Sequence, residues 1–197
     1  MSKHLRVVFT TLIAALILAG CSGSGASFKN TDITGADYGK DFVLTDHTGK
    51  MRTLADFRGK VVVMFFGYIL CPDVCPTTLA ELKVVKEQLG EDGGRVQVLF
   101  VTLDPERDTP QLLATYAPAF DPSFLGLYGD TAATARVAKE FKVFYQKVPG
   151  KTPDSYTLDH TAGSYVFDPQ GRLRLFIRQG NVPNLIADLK LLLSAKG

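Results

Sequence analysis

The order of apolar and polar segments predicts an α/β fold with a central mixed sheet flanked by helices. Two near-continuous apolar runs, KVVVMFFGY at 60–68 and VQVLFVTL at 96–103, are typical of strands that are buried on both faces. Each run is followed by a segment whose apolar residues recur at helical spacing. This strand–helix–strand order favours parallel strands that are joined by crossover helices within one domain.

Two further elements lie on either side of the first buried strand. Residues 42–54 predict a hairpin, with Asp46-His47-Thr48-Gly49 as its turn. The segment after the strand predicts a helix that ends at Gly90. Its apolar face is formed by four residues at helical spacing: Leu79, Leu82, Val85 and Leu89.

The second half of the chain completes the sheet and its cover. A polar loop at 104–108 leads into a helix for which Pro110 is well placed as the first residue, because proline fixes a helical φ and needs no partner there. The remaining predicted elements are, in order, a short strand at 124–128, a short helix at 132–141, a hairpin of strands 165–167 and 173–177, and an amphipathic helix at 185–193.

Two cysteines lie between the first buried strand and its helix, where ligands gather in open α/β sheets. Cys71 and Cys75 at this position favour a thioredoxin-like fold with an extra N-terminal hairpin over residues 41–197. Since Pro76 would break the second turn of a helix that began at Pro72, we expect Cys75 to cap the helix and Pro76 to be its first residue. The helix N-terminus would favour thiolate over thiol.

The N-terminal segment has the pattern of a secretory signal. A basic start, MSKHLR, precedes thirteen apolar residues at 7–19, and small residues follow at 19–20. This run is shorter than the roughly 20 residues that a transmembrane helix needs, so an uncleaved anchor is the less favoured alternative. We expect a signal peptide at 1–20 and a flexible tether and linker at 21–40 that contains SGSGAS.

Charge and size exclude some classes of function. The chain has 22 basic and 20 acidic residues, a formal net charge of +2, and its basic residues do not cluster. Nucleic-acid binding therefore has no electrostatic basis. A domain of this length buries enough surface to fold without disulfides or a structural metal. We expect a monomer.

Three interpretations of Cys71 and Cys75 compete. A structural disulfide would close a loop of a few residues, and such short loops contribute the least stability. A thiol–disulfide oxidoreductase of this fold usually has two residues between its cysteines and an aromatic residue before the first, whereas here three residues intervene and Leu70 precedes Cys71. Metal capture is the third, because two thiolates select Cu(I) or zinc, but it requires another ligand.

Histidine is the natural candidate for that third ligand, and the chain has three. His4 belongs to the signal segment, and His47 lies in a predicted turn, where a solvated polar residue is expected. His160 lies just ahead of the strand at 165–167, in a region that should face the first helix. A metal ligand and a simple hydrogen-bonded loop residue are equally good interpretations of His160.

Three sequence blocks carry a family resemblance, and a fourth block resembles a processing signal. FFGYILCPDVCPTTLAEL, DPERDTPQLLATYAPAFDP and YTLDHTAGSYVFDPQGR follow one another in an order and spacing that resemble the Sco/SenC family of membrane-tethered copper proteins involved in cytochrome c oxidase assembly. The resemblance implies a copper site, for Cu(I) with Cu(II) as a second state, that is formed by Cys71, Cys75 and His160. LAGC, the fourth block, resembles a bacterial lipobox and implies cleavage before Cys21 and its lipidation.

These implications define two candidate functions. One is a copper chaperone that is exported, lipid-anchored to a bacterial membrane with its domain facing the periplasm or cell exterior, and delivers copper to the dinuclear copper (CuA) site of an oxidase subunit. The other is a thiol–disulfide oxidoreductase in which Cys71 and Cys75 are the catalytic redox pair and act on partner proteins, including other copper or thiol-redox proteins.

Five further polar residues lie near the expected site. Asp73 lies between the cysteines and would place negative charge near a helix N-terminus. Asp104, Arg107 and Asp108 lie in a loop at the same end of the sheet, where capping and local ion pairs or a docking surface are equally good interpretations. Asp159 is a candidate to orient His160, because metal-bound histidines commonly donate their second N–H to a carboxylate.

Overall fold

The computed structural model describes residues 27–152 and 155–195. The predicted signal peptide at 1–20 and Cys21, the expected site of lipidation, lie outside these residues. A search of the described helices finds none with the length and apolar character to cross a bilayer.

The strands and helices follow the predicted order. The helices are α1 (Val74–Gln88), α2 (Pro110–Phe120), α3 (Thr131–Glu140) and α4 (Val182–Ser194), with 3₁₀ turns at Leu54–Phe57 and Gly90–Arg95. The strands are β1 (Thr31–Asp32), β2 (Leu44–Asp46), β3 (Met51–Arg52), β4 (Val61–Gly67), β5 (Val96–Thr102), β6 (Leu125–Tyr128), β7 (Tyr145–Pro149), β8 (Tyr156–His160), β9 (Ser164–Phe167) and β10 (Leu173–Ile177).

Within the described residues, eight strands form one mixed sheet in the order β1-β10-β9-β4-β5-β6-β2-β3. Strands β4, β5 and β6 are parallel, and the strands outside them pair antiparallel. The predicted fold class, a mixed sheet flanked by helices, is confirmed. The parallel register pairs Gly67 with Thr102, so β4 and β5 end at the same edge of the sheet. The loops that follow β4 and β5 are therefore brought together at this edge.

The two apolar runs form the centre of the core. All seven residues of β4 and all seven of β5 are buried, as expected for strands that are covered on both faces. The predicted hairpin is present as β2 and β3. Its turn is held by Asp46, whose carboxylate accepts hydrogen bonds from the Thr48 and Lys50 N–H groups and pairs with the Arg52 guanidinium.

The start of α1 differs from the prediction. The helix begins at Val74, with Asp73 at the N-cap position, so the assignment of Cys75 as the cap and Pro76 as the first helical residue is wrong by two positions. Pro76 is tolerated as the third helical residue because the first four N–H groups of a helix have no intrahelical partner. The carbonyl against which its ring would clash belongs to Pro72, before the helix begins.

Two segments that were not predicted as strands contribute to the fold. β7 and β8 form a separate hairpin, whose alternation is hidden because β7 is largely exposed. β1 pairs with β10, and the N–H groups of Lys29 and Asn30 donate to the buried Asp188 carboxylate at 2.8 Å each. The ordered fold therefore starts before the boundary expected at residue 41.

A buried carboxylate connects the ends of β4 and β5. Asp108 Oδ2 accepts the Ile69 N–H at 3.0 Å and the Thr102 hydroxyl at 2.6 Å, and the residue is 2% exposed. Burial raises the pKa of the Asp108 carboxyl to about 6, although both hydrogen bonds act to lower it. Asp108 thus holds the loop that leads to Cys71 against the end of the neighbouring strand.

The raised pKa of Asp108 predicts a pH dependence of stability. The folded pKa of about 6 lies above the unfolded value of about 3.9, so folding favours the protonated form and loses stability as the pH rises between these values. Asp108→Asn preserves the shape and one acceptor but does not titrate. We expect the free energy of unfolding of the wild type to fall relative to that of the variant by about 2 kcal/mol between pH 4 and pH 7.

Denaturant unfolding of the reduced, metal-free protein at pH 4, 5, 6 and 7 measures this difference. A difference between the two proteins that stays constant over this range would show that the Asp108 carboxyl has an ordinary pKa and is not held in the buried position described above.

Candidate metal centre

Three side chains from separate elements converge at the sheet edge where β4 and β5 end. Cys71 lies in the loop after β4, Cys75 in the first turn of α1, and His160 at the end of β8. The two sulfur atoms and one nitrogen of His160 all lie within 4.8 Å of one another. Cys75 Sγ is 3.6 Å from His160 Nε2. The structure thus brings together the three residues that the sequence indicated.

Backbone geometry at the end of β4 makes room for the two thiols. The Cys71 N–H donates to the Tyr68 carbonyl at 3.2 Å, which closes a tight turn directly after the strand. Gly67, the last residue of β4, faces Cys75: a Cβ atom there would lie 2.7 Å from Cys75 Sγ and 3.0 Å from the Phe100 ring. The missing side chain of Gly67 therefore leaves the space that the Cys75 sulfur occupies.

His160 is held in one tautomer and orientation. Its Nδ1 atom is 3.1 Å from the Thr161 carbonyl oxygen, and because a carbonyl can only accept, Nδ1 carries the hydrogen. Nε2 is then left with a lone pair that faces Cys75 Sγ. The orienting acceptor is the Thr161 backbone; the Asp159 side chain is exposed. Burial lowers the pKa of His160, so the neutral, metal-binding form predominates near neutral pH.

Two aromatic rings limit how the imidazole can move. Tyr68 meets the His160 ring edge-on, with 5.9 Å between centroids, and Phe65 does so at 6.2 Å. Both residues lie at the end of β4 or directly after it. Sequence analysis did not identify Tyr68 as part of the site, although an aromatic residue three positions before Cys71 is a usable signal.

The two thiols are free, and Cys75 is fully buried whereas Cys71 is 9% exposed. The helix N-terminus was expected to favour thiolates, but burial raises the pKa of the Cys75 thiol well above its usual value. Desolvation outweighs the partial charge of the helix end for this residue. Cys75 is therefore protonated in the metal-free protein at neutral pH, and a bound cation would have to displace that proton.

The other candidates from the sequence have different positions. His47 Nδ1 accepts the Gly126 N–H at 3.1 Å, so this ring is bound within the sheet and not at the site. Asp73 is exposed, and its carbonyl accepts the Thr77 N–H of the first helical turn. Over residues 27–152 and 155–195, no other group of three or more His, Cys, Asp or Glu side chains is close enough to hold a metal ion.

The donor set indicates which cations fit. Two thiols and one imidazole are soft and borderline donors, and no carboxylate belongs to the cluster. Such a set favours Cu(I) or zinc over magnesium, calcium or manganese, which prefer oxygen. Three protein donors also leave a coordination position open, as in sites where a metal exchanges a ligand. The arrangement suits reversible binding of a thiophilic metal ion.

Comparison with known proteins gives a consistent result. A sequence model of the SCO1/SenC family matches residues 30–194. The protein SCO2 homolog, mitochondrial, of Bos taurus is 36% identical over 174 residues, which cover 81% of this chain and 65% of that protein. Its Homo sapiens counterpart is 41% identical over 133 residues, 66% of this chain and 50% of that protein. The chain thus spans between half and two thirds of the length of these relatives.

A solved structure extends the likeness to the fold. The structure of Bradyrhizobium japonicum ScoI with copper bound is 43% identical and superposes with a TM-score of 0.71 over 79% of this chain and 98% of that one. The family match, the identity with curated relatives and the shared fold agree with one another and with the sequence motifs. The chain belongs to the SCO1/SenC family.

Proposed function

We propose that this protein is a membrane-tethered copper chaperone that binds one copper ion through Cys71, Cys75 and His160 and delivers it to the CuA site of cytochrome c oxidase. The observation that carries the proposal is the convergence of two thiols and a neutral imidazole within 4.8 Å. Support also comes from ScoI, which is 43% identical to this chain and whose structure is described with copper bound.

The site is suited to passing on its metal. Three donors hold Cu(I) while a fourth position stays open, so an acceptor thiolate can bind before the first ligand leaves and no free ion is released. Leu70, next to Cys71, is 61% exposed, and Phe144 is 59% exposed. Phe144 and Thr161 exchange two hydrogen bonds, which places Phe144 opposite the residue that follows His160. These exposed apolar residues offer an acceptor protein a contact surface next to the metal.

Oxidation of the cysteines would control loading. Forming a Cys71–Cys75 disulfide releases two protons and passes two electrons to an oxidant, and it removes two of the three donors. Copper binding therefore requires the reduced pair.

Thiol–disulfide exchange is the second candidate function, favoured by two free sulfur atoms within 4.8 Å of each other. In this mechanism the more exposed Cys71 attacks a partner disulfide and Cys75 resolves the mixed disulfide. The raised pKa of Cys75 disfavours this resolving step, because the thiolate is the reactive form.

The location in the cell is part of the same proposal. Lipidation of Cys21 after removal of residues 1–20 would hold the protein at a bacterial membrane, with the tether from residue 21 onward carrying the folded domain into the periplasm or cell exterior. Tethering would keep the chaperone in the plane where a membrane-bound oxidase is assembled.

An anaerobic Cu(I) titration of the reduced protein against a competing chelator tests the site. We expect one tight equivalent, and a loss of at least about 100-fold in affinity for His160→Ala, because removal of a ligand should cost more than the 10- to 100-fold typical of a ligand's outer partner. His47→Ala is the matched control and should bind as the wild type does. Equal affinity of the His160→Ala variant and the wild type would contradict the three-donor site.

Complementation separates the two functions. In a strain that lacks the gene, grown at limiting copper, we expect the CuA site to be under-metallated and to be restored by the wild type but not by Cys75→Ser or His160→Ala. A reductase needs the cysteines but not a third metal ligand, so restoration by His160→Ala with failure of Cys75→Ser would favour thiol exchange. A fully metallated oxidase in the deletion strain would contradict the chaperone proposal. The measurement is the copper content and near-infrared spectrum of the isolated oxidase.

A further inference from the structure

The strand that carries His160 does not belong to the central sheet. In the part of the chain that the structure describes, β7 and β8 pair only with each other, with His160 opposite Tyr145 and Tyr156 opposite Pro149. An isolated two-stranded hairpin is marginally stable in water. The position of His160 relative to the cysteines therefore depends on side-chain contacts between this hairpin and the rest of the domain.

Three residues make one such contact, at the end of β8 away from His160. The Tyr156 hydroxyl donates to Asp104 Oδ1 at 2.7 Å, and Arg107 Nη1 donates to the Tyr156 carbonyl at 2.9 Å. The guanidinium carbon of Arg107 lies 3.5 Å from the centroid of the Tyr156 ring. Arg107 Nε in turn pairs with Asp104 Oδ2. We call Asp104, Arg107 and Tyr156 the clasp.

The clasp and the metal ligand share one face of β8. Because side chains alternate along a strand, Tyr156, Leu158 and His160 point the same way. Leu158, between the other two, is buried in the core. The clasp lies roughly 13 Å from His160 along the strand. A rotation of the hairpin about the clasp would therefore move the imidazole away from the two thiols.

A second contact joins Arg107 to the site. Its guanidinium carbon lies 5.9 Å from the centroid of the Tyr68 ring, and the same ring meets the His160 imidazole edge-on. Arg107 thus contacts both the hairpin that carries His160 and an aromatic ring against which His160 packs. Arg107 is thus connected to His160 both through β8 and through the Tyr68 ring.

Apolar packing does not fill the junction between the loop and the hairpin. A cleft of about 130 Å³ lies there, lined by residues of the 103–106 segment on one side and by Tyr145, Lys147 and Leu158 on the other. Lys147 and Glu106 form an ion pair across the rim at 2.8 Å, but both are largely exposed and contribute little. The partly buried clasp is therefore the main polar connection across this junction.

We propose that Arg107 and Tyr156 are positioning residues of the metal centre: their clasp with Asp104 holds the β7–β8 hairpin where His160 Nε2 meets the two thiols. The inference rests on the proposed copper site. The 104–108 loop then supports the centre from both sides, since Asp108 holds the Ile69 N–H ahead of the cysteines and the clasp holds the histidine strand.

Arg107→Ala and Tyr156→Leu test this role in the reduced full-length protein. We expect Cu(I) affinity to fall about 10- to 100-fold, as for other outer partners of a ligand. X-ray absorption of the Cu(I) protein should show loss of the nitrogen donor while both sulfur donors remain. Arg95→Ala is the matched control: Arg95 also pairs with an aspartate three residues before it and donates to a backbone carbonyl, but it lies at the opposite end of β5.

A double variant identifies the route of the effect. If Arg107 acts through His160, adding Arg107→Ala to His160→Ala should cost no further affinity. Arg107→Ala leaves the Asp104 carboxylate buried without its partner, so it is the variant at risk of unfolding. Tyr156→Leu keeps that ion pair and decides the question if Arg107→Ala does not fold; circular dichroism and the Tm of the metal-free variants establish this.

The outcomes are distinguishable. The positioning role would be overturned if the clasp variants bound Cu(I) as tightly as Arg95→Ala does and kept the nitrogen donor. If His160→Ala still bound weakly in the same experiment, the proposed copper site would stand. Additive losses in the double variant would overturn the positioning role as well, because they would show that the clasp acts without His160. A wild type that binds Cu(I) weakly, or no better than His160→Ala does, would overturn the proposed function and this inference together.

Discussion

The parallel pairing of β4 with β5 is the constraint on which the rest of the molecule depends. These fourteen residues are all buried, and their register places Gly67 beside Thr102 at one edge of the sheet. The loop after β4 carries Cys71 and leads directly to Cys75 in the first turn of α1, and the loop after β5 carries Asp104, Arg107 and Asp108. Because both loops leave the same edge of the sheet, the loop after β5 lies beside the loop after β4 and can form hydrogen bonds with it. A shift of one residue in this register would separate the Ile69 N–H from the Asp108 carboxylate.

Burial has opposite consequences for the two kinds of donor in the centre. It raises the pKa of Cys75 and lowers that of His160, so each group is neutral when no metal is present. A protonated Cys75 and a neutral imidazole place no net charge of their own in the buried centre. An incoming cation has to displace the Cys75 proton, so binding and proton release are linked. Neutral donors in the metal-free centre are compatible with the reversible metal binding proposed above.

Much of this could be predicted from the sequence, and the failures have physical causes. The long apolar runs at 60–68 and 96–103 identified the core strands, and the spacing of Cys71 and Cys75 located the site. The β7–β8 hairpin was missed because only one of its ten strand residues is buried, so its strands lack a clear period of two. The roles of Arg107 and Tyr156 could not be derived, since 49 residues separate them along the chain and only the folded hairpin brings them together.

The absence of a side chain at Gly67 restricts which residues positions 67 and 75 can accept during evolution. The Cys75 sulfur occupies the space that a methyl group at position 67 would need, at a separation of only 2.7 Å. The two positions therefore constrain each other: a side chain at 67 would need a residue smaller than cysteine at 75, and a retained thiol favours glycine. Descendants that lost the second cysteine would be released from the closest contact only, because the Phe100 and Phe65 rings lie 3.0 and 3.1 Å from the same point. The pair should covary, and an alanine at position 67 would mark a lineage in which the thiol chemistry has been abandoned.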